Sequence, residues 1–138
     1  MVTRPAHEIA PGSFVKAEIG GRPTLCLKVE RVGKEHTNHF LVPLDPVDDR
    51  RALALVYVDP QEHLAPVDGV AFSVADGPEE TPPQVGDMFA NPHGAMLKVI
   101  DDPRAQRLYA YVDVATGQVR ARMERNIHRL LHWSVARL

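Results

Sequence analysis

Three short stretches of the sequence recur in the same order in its second half. Pro11-Gly12-Ser13-Phe14-Val15 matches Val85-Gly86-Asp87-Met88-Phe89, and Leu25-Cys26-Leu27-Lys28-Val29 matches Ala95-Met96-Leu97-Lys98-Val99. Phe40-Leu41-Val42-Pro43-Leu44-Asp45 matches Leu108-Tyr109-Ala110-Tyr111-Val112-Asp113. A repeat of this period constrains the fold strongly, because each copy must be a supersecondary unit that uses the same local structure twice. With 138 residues, the chain has room for two very small units or one compact domain.

The matched stretches read as strands. Phe14–Ile19 alternates loosely, Gly20-Gly21 is a turn signal, and Thr24–Val29 returns with Leu25, Leu27 and Val29 on one face. Phe40–Leu44, Ala52–Val58 and Gly69–Val74 complete the first set; Ala52–Val58 is continuous and apolar, the mark of a strand buried on both faces. The second set is Asp87–Ala90, Ala95–Ile100, Leu108–Val112 and Gln118–Met123, with turns at 91–94, 101–104 and Thr116-Gly117. Between the sets, Gly77-Pro78-Glu79-Glu80-Thr81-Pro82-Pro83 has no apolar residue to bury and reads as a stiff linker.

Met123, Ile127, Leu130 and Leu131 recur at helical spacing, and Asn126 is a fitting cap. This predicts one or two helical turns over Asn126–Trp133, then a last strand over Ser134–Leu138. Pro60-Gln61-Glu62-His63-Leu64 holds the same place in the first half. The arrangement resembles two SH3-like small barrels in tandem. Val85-Gly86-Asp87, then Gly94 and Leu97-Lys98-Val99-Ile100, is similar to a Gly-Asp pattern common in such barrels. The resemblance names no particular family. The expected fold is therefore all-β: an arm over 1–8, a barrel over 9–76, a linker over 77–83 and a barrel over 84–138, with a helical turn before each last strand.

Charge is unevenly distributed. Residues 1–83 carry eight basic against thirteen acidic side chains, and residues 104–138 carry seven against two. The chain as a whole is at −2. Such asymmetry suits head-to-tail contacts between copies, or a basic surface for an anionic partner. Arg120 and Arg122 alternate along one predicted strand face, and Arg125 and Arg129 are four apart on the predicted helical turn. Tyr109 and Tyr111 share a strand face and offer a stacking surface. These six residues are the candidate ligand or nucleic-acid site. Nucleic acid is not the favoured partner, since its binders are usually basic overall.

Other chemistry is thinly represented. His128 and His132, four apart on a helix, would converge on a metal, but Arg125 and Arg129 flank them and the His-Glu-x-x-His order is absent. His36-Thr37-Asn38-His39 reads as a solvated turn. Cys26 between two leucines reads as inert core packing, and a single cysteine fits a reducing, cytoplasmic setting. Asp48-Asp49, Glu79-Glu80 and Asp101-Asp102 sit in turn or linker contexts, where adjacent carboxylates do not face each other. No phosphate loop, dinucleotide fingerprint or nucleophile elbow occurs, and no cofactor is expected. The first residues, M-V-T-R-P-A-H-E, lack an apolar segment, so no secretory signal or membrane span is expected. The leading expectation is a non-catalytic binding or adaptor module for an unknown protein or anionic partner, possible as a homo-oligomer. A nucleic-acid-associated protein and a small metal protein or enzyme are the alternatives.

Overall fold

The computed structural model describes residues 2–45, 52–92, 94–101, 108–121 and 127–138. The described chain is all-β, with a short 3-10 turn at Ala6–Glu8. The first half contributes β1 (Arg4–Pro5), β2 (Phe14–Ile19), β3 (Arg22–Val32), β4 (Thr37–Asp45), β5 (Val56–Tyr57) and β6 (His63–Pro66). The second contributes β7 (Val70–Thr81), β8 (Met88–Asn91), β9 (Gly94–Ile100), β10 (Tyr109–Asp113), β11 (Val119–Arg120) and β12 (His128–Arg137).

The strands form two open, six-stranded antiparallel sheets, ordered β1-β6-β2-β3-β4-β5 and β7-β12-β8-β9-β10-β11. Counted within each half, the two orders are identical: first, sixth, second, third, fourth, fifth. Hydrogen bonds follow the same plan. Gly12 N–H donates to Lys28 O and Lys28 N–H to Ser13 O; Gly86 N–H donates to Lys98 O and Lys98 N–H to Asp87 O. Gly12 and Gly86 both take φ of 89°, a conformation that glycine adopts without steric cost. Pairing also fixes the register between halves. Leu41 lies opposite Lys28 and Tyr111 opposite Lys98, so Leu41 corresponds to Tyr111. The letter match of Phe40 with Leu108 is thus two residues out of register, because ladder pairing, not side-chain resemblance, decides which residues correspond.

Neither sheet closes on itself, and the core is not divided between halves. The inner face of the first sheet supplies Leu27, Val29, Val42 and Leu44, and Leu53 and Leu55 join them. Met88, Leu97, Val99, Ala110, Val112 and Trp133 from the second sheet belong to the same buried cluster. A second cluster lies on the other face of the first sheet, where Ala6 and Ile9 cover Val15, Cys26, Leu41, Val58 and Leu64.

The halves also exchange backbone bonds reciprocally. Glu30 N–H at the end of β3 donates to Gly117 O beside β11, and Ile100 at the end of β9 exchanges both its bonds with Leu53 and Leu55 before β5. Glu30 and Ile100 occupy equivalent places, so each half lends a strand end to the other, as in an isologous interface. Arg31 adds an ion pair to Asp101 at 2.8 Å across this joint.

Four sequence expectations are corrected here. Gly77–Thr81 is not a tether but the end of β7, where Glu80 pairs Arg129 and Thr81 pairs His128. A run without apolar residues can be a strand when it lies at a sheet edge and needs no burial. Residues 128–133 are not helical but belong to β12, whose partners β7 and β8 satisfy their backbone groups. Leu131 and Trp133 face the core, so alternation there is two-fold rather than 3.6-fold. In the first half, Pro60-Gln61 is a turn and β6 starts at His63. Ala52–Val58 is strand only at Val56–Tyr57, and Tyr57 is 61% exposed rather than buried.

The joint generates a test. A Cβ at Gly117, whose φ is 69°, would run into Gly12 N and the backbone of Pro11, whereas one at Gly20, φ 59°, meets open space. Gly20→Ala is expected to cost about 1 kcal/mol, the backbone term alone, and Gly117→Ala roughly 3 kcal/mol or more, measured by urea denaturation. Equal costs would show that the halves do not meet there.

Candidate functional site

The outer face of the second sheet gathers the chemistry-bearing residues. Lys98 on β9 and Arg120 on β11 both pair with Tyr111 on β10, so the three form a row across adjacent strands. Tyr109, two residues along β10, shares their face. The Lys98 ammonium lies 4.5 Å from the Tyr109 ring centroid and 6.0 Å from that of Tyr111, and donates to Pro83 O at 2.9 Å. Burial holds Lys98 below the usual lysine pKa, with Asp87 opposing, and raises the Tyr111 phenol, which neighbouring Tyr109 raises further. Phe89 backs Tyr111 edge-on at 5.9 Å. Tyr109 is 43% exposed and Arg120 is exposed, so the face is reachable from solvent.

Of the six residues singled out from sequence, Tyr109, Tyr111 and Arg120 are brought together. Arg129 is elsewhere, on β12, 3.8 Å from Asp76 of β7. Arg122 and Arg125 lie outside the described residues, as do Met123, Glu124 and Asn126. Lys98 was not singled out, although it ends the row and its ammonium lies against both tyrosine rings. The signal was its position directly across from a tyrosine once the strands are paired.

His128 and His132 do not form a pair. On a strand, four residues span roughly 13 Å, far beyond what one metal with bonds of about 2 Å can bridge. His128 is buried against Phe89, with ring centroids 4.5 Å apart, while His132 is exposed. Among the described residues, no group of three or more His, Cys, Asp or Glu side chains is placed to hold a metal. Cys26 is buried and its thiol is pushed up to about 12 by burial, so it stays protonated at neutral pH.

The first sheet holds a different cluster at the place equivalent to Lys98. Lys28 is fully buried, and its ammonium donates to Ile9 O at 3.0 Å, Glu30 Oε1 at 2.7 Å and His39 Nδ1 at 2.9 Å. Three donors thus meet three acceptors, the condition for burying a charge. The bond requires His39 to be neutral with its proton on Nε2. Burial lowers the His39 pKa from 6.5, and Lys28 lowers it further against the pull of Glu30. His39 is therefore no part of a solvated turn: it is a buried residue of β4. Alternation places Cys26, Lys28 and Glu30 on the polar-looking face of β3, and only the N-terminal segment folding over that face makes it interior.

Searches against family models, curated proteins and solved structures returned no match to this chain. Among the described residues, no helix is long and apolar enough to cross a membrane.

Lys28→Met is expected to destabilise the protein by about 3–5 kcal/mol, since it strands the Glu30 carboxylate, and adding Glu30→Gln should restore part of the loss in thermal or urea unfolding. A depressed histidine pKa means that the unfolded chain binds more protons, so the stability due to neutral His39 is complete above pH 6.5 and is lost as pH falls below it. His39→Asn, which keeps an acceptor near the Nδ1 position, should flatten the pH dependence of stability between pH 7 and 5 measured by denaturation.

Proposed function

We propose that the protein is a non-catalytic binding module built from two matching SH3-like β-units, an internal duplication docked through a shared core. It takes an anionic partner on the outer face of the second unit. The observation that carries this reading is the row Lys98, Tyr111 and Arg120 with the exposed Tyr109 beside it. Two cations flank two aromatic rings, a combination that suits carboxylates or phosphates attached to planar or apolar groups. The common strand order and the paired hydrogen bonds of Lys28 and Lys98 support the duplication.

An acidic protein segment is the preferred partner. The chain is net acidic, and the row itself has only two cations, whereas binding to a nucleic-acid backbone draws on many. Single-stranded nucleic acid is the second reading, favoured by the accessible Tyr109 ring, on which a base can stack.

The two readings separate in a salt-dependent anisotropy titration with a labelled Glu-rich, Tyr-containing peptide and a labelled oligothymidine. The peptide is expected to bind, and Arg120→Glu or Tyr109→Ala to weaken it about tenfold, the size of one lost charged or stacked contact. Preferential binding of the oligonucleotide, lost in the same variants, would move the assignment to nucleic acid. Binding of neither probe would remove this face as a partner site.

A further inference from the structure

A second surface, on the opposite side of the second sheet's Tyr109 face, lies where the two halves meet. Here β12 runs past the end of β8, which pairs only Leu130 and Leu131, and its far end, paired with β7, lies across from Leu25 and Leu44 of the first sheet. The gap between them is a groove of ≈ 620 Å³. Its floor is apolar: Leu25 and Leu44 from the first sheet, Trp133 and Val135 from β12. Its rim carries Lys16 on one sheet and Arg137 on β12, against Asp68. Lys16 and Arg137 are exposed, while Trp133 is only 8% exposed and is held by its indole N–H to Gly86 O at 3.0 Å.

We propose that this groove binds a small apolar carboxylate, such as a medium-chain fatty acid. The volume is that of a small-molecule site, which is usually apolar within and carries few polar groups at defined places. The floor accepts a hydrocarbon chain that loses its contact with water. The carboxylate comes to rest at the mouth, where cations outnumber the acid. Charge complementarity selects an anion over a neutral or cationic chain of equal length. The floor is already formed, since the indole is fixed by its hydrogen bond and the groove lies between sheets joined by their common core, so little ordering is needed on binding. This site is independent of the Tyr109 face and rests on none of its residues.

Trp133 is the only tryptophan in the chain and lines both this groove and a cavity beside Gly86 and Leu131, so its emission reports binding and the Lys16 and Arg137 substitutions, which touch the groove alone, locate it. The experiment titrates the full-length protein with decanoate, decanol and decylammonium while recording tryptophan fluorescence. Decanoate is expected to give a saturable change, with decanol and decylammonium at least about tenfold weaker, and Lys16→Gln/Arg137→Gln is expected to erase that preference. Both substitutions are at exposed positions, and circular dichroism checks that the variant folds. Arg120→Glu, on the other surface, should leave the decanoate midpoint unchanged. No saturable change up to about 1 mM decanoate, the weak limit of specific affinity, would overturn the proposal. So would equal midpoints for the three chains, or a preference that survives the double variant.

Discussion

Mutual burial of two sheet faces underlies everything else in this protein. Leu27, Val29 and Val42 on one sheet and Leu97, Val99 and Val112 on the other are all fully buried, and they belong to one cluster. A strongly twisted sheet of a few short strands has too little apolar area to be stable alone, and a second sheet supplies the missing cover. Because the halves share one strand order, the same kind of face is offered from both sides. The reciprocal bonds of Glu30 and Ile100 follow from that symmetry: β3 runs past β2 and β9 runs past β8, and the edge each leaves open finds a partner in the other half.

The equivalent lysines illustrate how one scaffold position diverges. Both Lys28 and Lys98 reach back to a carbonyl of the segment entering the second strand of their half, Ile9 O and Pro83 O respectively. That bond clamps the entry turn to the third strand of each half. In the first half, Ala6 and Ile9 close over the lysine, and Glu30 and His39 then neutralise and satisfy it. In the second half, the neighbours are Tyr109 and Tyr111, and the half-buried ammonium lies against their rings, of which Tyr109 is 43% exposed. One position is thus sealed into structure, and the other stays partly open to solvent.

β7 and β12 bind the architecture to both surfaces. Their long ribbon carries Phe72, which contacts Phe14 at 5.2 Å and Trp133 at 5.8 Å, so the end of the second sheet is anchored on the first. The same ribbon forms one wall of the inter-sheet groove. Pro78, Asp76, Glu79 and Glu80 lie along its outer strand, and charged residues and proline are what protect an exposed edge from unwanted pairing.

Strand identity was legible in the sequence wherever a residue pair alternated beside a turn signal: Phe14–Ile19 was placed to the residue, and Gly20-Gly21 and Thr116-Gly117 marked real turns. The shared face of Tyr109, Tyr111 and Arg120 was partly legible too, since a period of two needs no knowledge of neighbours. Residues 128–133 were misread because Leu130 and Leu131, three and four after Ile127, satisfy a helix and a strand with one outward leucine alike, and only pairing with β7 and β8 decides between them. The linker was misread because an edge strand needs no apolar residues. Lys98, the Lys28–Glu30–His39 cluster and the groove depend on contacts between residues far apart in the chain. The sequence alone determined the all-β character and the similarity between halves, which are local and periodic properties. The tertiary structure alone decided that the halves share a core and which polar residues it seals, because these depend on which face of each sheet the rest of the chain covers.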